Sequence, residues 1–192
     1  MEKLFHANAN KKIAGIAVHI SDKTDFKTKV IVTDKEGPHI MINRAIQQKE
    51  KTLINIYAPN IGAPKHVKCI LMDIKGEIES NTIVVGDFNT PLTLMDKSFR
   101  EKINKETATL SDKLDQMDLT DTLRVFHSNA AEYTFFSSAH GTFSRTYPLL
   151  QHKTSLNKFK EIEVAPIIFS DHNDMKLEIY HKEKETEKHT KT

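Results

Sequence analysis

Cysteine is nearly missing from this chain of 192 residues, which holds one, Cys69. A single cysteine excludes an intrachain disulfide and a cysteine zinc cluster, and it fits a reducing compartment, cytoplasm or nucleus. Cys69 falls among apolar residues at helical spacing, so it is expected in the core. Long apolar runs are missing too. No stretch approaches the ~20 residues that span a bilayer. The opening Met1-Glu2-Lys3-Leu4-Phe5-His6 has no apolar centre of a secretory signal, and no membrane partner is expected. An excess of one charge is also lacking: net +2 and a pI near 8.5 permit a nucleic-acid partner without arguing for one. No internal repeat is found. What is present, 38% hydrophobic and 28% charged residues over this length, suits one domain with a real core. Ten histidines make the chain more cationic in mild acid.

The patterning alternates short β-branched runs with helical spacing. Residues up to about Ile13 read as a polar opening. Gly15 to Ile20, Val30 to Val32, His39 to Ile42 and Thr52 to Tyr57 read as four strands of an antiparallel meander, separated by turn chemistry such as Glu36-Gly37-Pro38. Val67, Ile70, Leu71, Ile74 and Ile78 form one apolar helix face, broken at Ser80-Asn81. Thr82 to Val85 is a wholly apolar strand of the kind buried on both faces, ended by Gly86. Ile103, Leu110, Leu114 and Met117 predict a second helix. Glu132 to Phe136 predicts another strand, and Glu161 to Ile168 and Met175 to Tyr180 predict two closing strands; Ser137 to Lys160 gives no clear pattern. The expected class is α/β (α+β), with residues 1–180 as one domain and 181–192 as a charged, disordered tail.

Three segments could carry chemistry. Gly86-Asp87-Phe88-Asn89 follows a buried strand and so projects an acid and an amide from the carboxyl end of a sheet, where ligands bind in α/β folds. Asp87 could orient or deprotonate a water, and Asn89 could bond the same ligand. Ordinary Asp-x-Asn turn chemistry is the alternative. In Ser170-Asp171-His172, Asp171 could hold the His172 imidazole against a phosphate or a leaving oxygen. The other reading is a capped loop with two solvated side chains. In Asn55-Ile56-Tyr57-Ala58-Pro59-Asn60, Tyr57 ends a strand, and Pro59 forces an extended exit. Tyr57 could hold a phosphate oxygen, or it could simply be a half-buried aromatic.

In this order and at these separations the three segments resemble the endonuclease/exonuclease/phosphatase family, which includes abasic-site DNA endonucleases and DNase I-like nucleases. Ser21-Asp22-Lys23-Thr24-Asp25-Phe26, Asp34-Lys35-Glu36-Gly37, Asn55 to Asn60, Gly86 to Leu92 and Glu132 to Ser137 resemble the endonuclease domain of mammalian LINE retrotransposon polyproteins. The resemblance spans roughly residues 4 to 180 and is interrupted between about Thr146 and Val164. It implies an incomplete four-layered α/β-sandwich of the DNase I-like type, and hydrolysis of DNA phosphodiesters assisted by Mg²⁺. Asp87 would place the attacking water, and it is the one metal ligand the resemblance leaves in place. Asn89 would orient Asp87 or the phosphate. Tyr57 and Asn60 would contact the scissile phosphate, while His172, held by Asp171, would stabilise its charge. Ser137 to Arg145 would form a hairpin that meets DNA, with Thr134 at its base and Arg145 and Lys97 as phosphate partners.

The sequence departs from that pattern at its opening and after the hairpin. The family's opening β-α-β elements, with an early Asn and a Gln-Glu-Thr whose Glu is the principal metal ligand, have no counterpart in these residues. Where the family has Ser-x-Ile-Asp-x-Ile, this chain has Ser144-Arg145-Thr146-Tyr147-Pro148-Leu149, so Tyr147 stands where an Asp is expected. Mg²⁺ needs carboxylate oxygens, and losing two of them costs on the order of 10³-fold in rate. The expectation is therefore a remnant nuclease with weak or no activity. The alternatives are a non-catalytic nucleic-acid-binding module and an active nuclease completed by another segment.

Overall fold

The computed structural model describes residues 3–8, 15–20, 27–33, 39–46, 49–98, 102–128, 133–165 and 174–179. In chain order the elements are β1 (Lys3–Asn8), β2 (Gly15–Ile20), β3 (Lys27–Thr33), β4 (His39–Ile46), β5 (Lys49–Tyr57), α1 (Ala63–Asp73), β6 (Thr82–Asp87), α2 (Lys105–Gln116), β7 (Leu119–Asp121), α3 (Thr122–Phe126), β8 (Phe135–Ser137), β9 (Thr142–Ser144), β10 (Leu150–His152), β11 (Phe159–Ala165) and β12 (Asp174–Ile179). Single 3₁₀ turns occupy Lys75–Glu77 and Leu94–Asp96, and a longer one runs over Lys153–Lys158.

The central element is a six-stranded mixed sheet in the order β3-β4-β5-β6-β10-β7. β3, β4 and β5 are consecutive and antiparallel, as the meander requires. β5 and β6 then run parallel, joined by the α1 crossover, with Ile54 opposite Val84 and Tyr57 opposite Asp87. β10 closes antiparallel on β6 and carries β7 at the edge. Alternation sorts the side chains of β5 and β6. Ile54, Ile56 and Val84 face α1 and α2 and join Val67, Ile70, Leu71, Leu110 and Leu114 in the main core. Leu53, Ile83 and Val85 face the other way and meet Leu149. The apolar run of β6 is thus buried on both faces, which is why it shows no alternation in sequence.

Several expectations are corrected. The polar opening contains β1, which pairs with β2 over Lys3↔Ile20 to Asn8↔Gly15. β2 therefore belongs to a separate hairpin and not to the meander. The first helix ends at Asp73 rather than at Ser80, and Ile78 reaches the core from beyond the 3₁₀ turn. Cys69 is exposed. It sits between Val67 and Ile70 in sequence, yet a residue one or two positions from a core position is rotated off that face. Ile103 precedes α2 and is 37% exposed, because Asn104 caps the helix by accepting the Thr107 amide. The strand expected from Glu132 starts at Phe135, and Glu132 lies outside the described residues. The stretch without clear pattern, 137–160, holds the three-residue strands β9 and β10, too short to show a period, and the six-residue 3₁₀ turn. β11 and β12 pair antiparallel near the expected positions, and residues 166–168, Tyr180 and the tail 181–192 lie outside the described residues.

Candidate active site

The parallel pairing of β5 with β6 sets Tyr57 beside Asp87 at one end of the sheet. The backbone there is tightly joined: the Ala58 amide donates to the Asp87 carbonyl at 2.8 Å. Gly86 makes this approach possible. Its φ is +132°, and a Cβ at that position would stand 1.9 Å from the Ile56 carbonyl oxygen and 2.7 Å from Asn55 Oδ1. Only a residue with no side chain fits there.

Past the strand the chain turns sharply. Asn89 adopts a left-handed conformation, φ +46°, a region that Asn tolerates better than most residues. Its amide nitrogen donates to Asp87 Oδ1 at 3.0 Å, and its side-chain Nδ2 donates to the Ala58 carbonyl at 2.7 Å. Asn89 thus orients the Asp87 carboxylate through its backbone, while its side chain ties the β6 exit to the β5 exit. Phe88 is fully buried, and its amide donates to the Thr146 carbonyl at 2.9 Å. Asp87 itself is 9% exposed. Tyr57 is half-buried and Asn60 is exposed on the loop that leads into α1. Tyr57, Asn60, Asp87 and Asn89 are therefore brought to one corner. Asp171 and His172 lie outside the described residues.

The remaining expected positions are placed differently. Thr134 is fully buried, and its hydroxyl accepts the amides of Thr146 and Tyr147 at 3.2 and 3.3 Å. It holds the irregular segment after the hairpin and is not on a surface that could meet DNA. Arg145 is 3% exposed. Its guanidinium reaches Asp96 Oδ1 at 2.7 Å and Asp121 Oδ2 at 2.7 Å. This arginine is committed inside the protein, which corrects its assignment as a phosphate partner. Lys97 is half-buried on a backbone bridge to Ser144. β8 and β9 do form the expected hairpin, with Phe136 opposite Phe143. Phe143 is 46% exposed and contacts Tyr133 and Phe136, at centroid distances of 5.8 and 4.6 Å.

Sequence reasoning missed the acid that organises the surroundings. Asp96 is 1% exposed. Its Oδ2 accepts the amides of Leu92 and Thr93 at 3.0 and 2.7 Å, and its Oδ1 takes Arg124 at 2.5 Å and Arg145. The loop after Asn89, helix α3 and the segment after β9 are all fastened to this one carboxylate. The spacing Thr93-x-x-Asp96 was a capping signal, but nothing in it pointed to two arginines. Asp121 sits at the edge of the same cluster. Burial pushes its carboxyl above the usual range; Arg145 opposes that, and the charge of Asp96 adds to it.

As a metal centre the corner is incomplete. Among the described residues no three His, Cys, Asp or Glu side chains converge. Asp87 is the sole carboxylate at the corner among them, and Tyr147, half-buried, supplies no charge where the family resemblance implies an Asp. A hard cation needs several oxygen ligands, so the described side chains do not fit Mg²⁺.

No family model matches the sequence. Solved structures do share the fold. The endonuclease domain of TRAS1, a telomere-specific non-LTR retrotransposon, superposes with a TM-score of 0.74 at 15% identity, covering 95% of this chain and 81% of that one. The AP endonuclease LMAP from Leishmania major gives 0.74 at 11% identity over 94% and 71%. A 3' phosphatase from Neisseria bound to product DNA hairpin gives 0.69 at 18% identity over 94% and 80%. At these identities the likeness establishes the DNase I-like α/β fold and no more.

Proposed function

We propose that this chain is a DNA-binding remnant of a Mg²⁺-dependent endonuclease domain of retrotransposon origin, with weak or absent catalysis. The observation that carries the reading is the corner itself. Tyr57 and Asp87 stand in register at the carboxyl ends of two parallel strands, and Asn89 turns its amide onto the Asp87 carboxylate. In this reading Asp87 orients a water for attack on a phosphodiester, while Tyr57 and Asn60 donate to phosphate oxygens. A buried carboxylate that is already hydrogen-bonded needs little reorganisation to do this. Bound Mg²⁺ would supply Lewis-acid stabilisation of the phosphoryl group, and the described donors fall short of holding it. DNA is the partner that the fold neighbours support, since one is a retrotransposon endonuclease domain and another is bound to a DNA hairpin.

The test is nicking of supercoiled plasmid with Mg²⁺ by wild type, Asp87→Ala and His172→Ala. The expected result is no nicking, or a trace that Asp87→Ala removes. Robust nicking abolished by both substitutions would instead establish a complete enzyme. One observation favours a purely binding role as the second reading: the half-exposed aromatic cluster of Tyr133, Phe136 and Phe143 on the hairpin. Salt-dependent DNA binding that Phe143→Ala weakens while Tyr57→Ala and Asp87→Ala leave it unchanged would support it.

A further inference from the structure

A cavity of about 200 Å³ opens immediately beyond the Asp87–Asn89 corner. Its lining includes Thr90, Pro91, Lys97, Lys102, Ile103 and Thr107. No carboxylate is among its described lining residues. Helix α2 begins at this cavity, but Asn104 already caps it, so the positive charge comes from the two lysines. Thr90 and Thr107 are buried, with their hydroxyls 3.2 Å apart. The further contact of Thr90 Oγ1 with the Pro91 carbonyl, at 3.5 Å, is a weak use of a hydrogen. The ion cluster at Asp96 keeps this loop in place from behind.

Size and chemistry select the occupant. The volume falls below the roughly 300–1,000 Å³ of pockets that enclose a drug-sized molecule, which disfavours a whole nucleoside, and no aromatic ring on which a base could stack is among the described lining residues. Two ammonium groups and a hydroxyl suit a single phosphate, and Pro91 and Ile103 suit the apolar edge of a sugar. Thr90 follows Asn89 directly, which puts the cavity next to the corner along the chain. We propose that this cavity takes a backbone phosphate of a bound DNA strand, flanking the phosphate presented to Asp87. Lys97 and Lys102 neutralise it, and the buried threonine pair forms the floor. The inference rests on the DNA-binding reading above.

The experiment is a salt series of binding to a fluorescent duplex oligonucleotide in EDTA, so that no cleavage intervenes. Wild type, Lys102→Ala, Lys97→Ala, their double variant and the control Lys75→Ala are compared. Lys75 is exposed in the turn after α1, at the opposite end of the crossover. Each lost phosphate contact lowers the slope of log affinity against log salt by about 0.9. Both lysines serve one phosphate, so the expected result is a drop of that size for the Lys97→Ala/Lys102→Ala double variant, a smaller drop with weaker affinity for each single substitution, and no change for Lys75→Ala. If wild type binds DNA and the cavity variants keep its slope, the subsite is refuted while the DNA reading stands. If wild type does not bind DNA at low salt, both fall. A parallel arm adds inorganic phosphate alone and follows the thermal transition. Stabilisation by phosphate that Lys102→Ala removes, with DNA slopes unchanged, would make this a site for free phosphate and overturn the assignment to DNA.

Discussion

At Asn89 one side chain does two jobs that can be separated by substitution. The left-handed backbone, φ +46°, disfavours any residue with an ordinary Cβ, and Nδ2 ties the two strand exits together. Asn89→Ala incurs both losses, about 1–2 kcal/mol for the conformation and about 1 kcal/mol for the hydrogen bond. Asn89→Gly should incur only the second, so urea denaturation is expected to rank wild type, Gly, Ala in falling stability. Equal losses for Ala and Gly would show that the conformation costs nothing there. Asp121 gives a second residue-scale prediction, in pH. Burial raises its folded carboxyl pKa, with Arg145 opposing. A raised pKa means that the folded state holds the proton more tightly than the unfolded one. The contribution of Asp121 is then fully present below the ordinary carboxylate range and lost as pH rises through the folded value. Asp121→Asn keeps the cap on the Leu123 amide and cannot ionise. The stability of wild type relative to this variant should fall over the pH range above the ordinary carboxylate values, measured by urea denaturation. A relative stability that instead rises across that range would refute the assignment.

Elements meet at Asp96. The 3₁₀ turn Leu94–Asp96, helix α3 through Arg124 and the exit of β9 through Arg145 share that carboxylate. Replacing a buried charge that serves two cations leaves both uncompensated, which costs about 3–5 kcal/mol. Asp96→Asn is expected to lose that much, whereas Asp121→Asn, which leaves Asp96 in place for Arg145, should lose far less. Because the Phe88 amide is bonded to Thr146, next to Arg145, Asp96→Asn should also raise amide exchange at Phe88. A loss for Asp96→Asn no larger than that for Asp121→Asn would contradict a shared anchor. Much of this level was legible beforehand. The α1 face was readable because Val67, Ile70, Leu71 and Ile74 repeat with the helical period. The β7, β9 and β10 strands were not, since three residues carry no period and their pairing partners lie far away in sequence.

At the scale of the whole molecule, the main core among the described residues joins the sheet to α1 and α2, running from Ile54 and Val84 to Leu71 and Leu110. Leu110 is fully buried between those layers, and Leu110→Ala should cost about 2–5 kcal/mol. Because the core is continuous, circular dichroism and tyrosine fluorescence are expected to report the same lowered midpoint. Two separated transitions would show that the sheet and helix layers unfold independently. The comparison structures share this arrangement at 11–18% identity.

What the sequence determined alone follows from local physics: the helical faces, the doubly buried β6, the glycine-acid-amide corner after it, and through motif order the DNase I-like class. The tertiary structure decided the rest. It set Tyr57 beside Asp87 because parallel pairing is a long-range choice, separated in sequence by a whole crossover. It turned Arg145 inward and Thr134 into a buried acceptor because the charge partner Asp96 lies 49 positions from Arg145, and no period or spacing encodes a contact across that distance. It also placed Cys69 outside, since a helix buries a stripe and leaves the residues beside it to solvent.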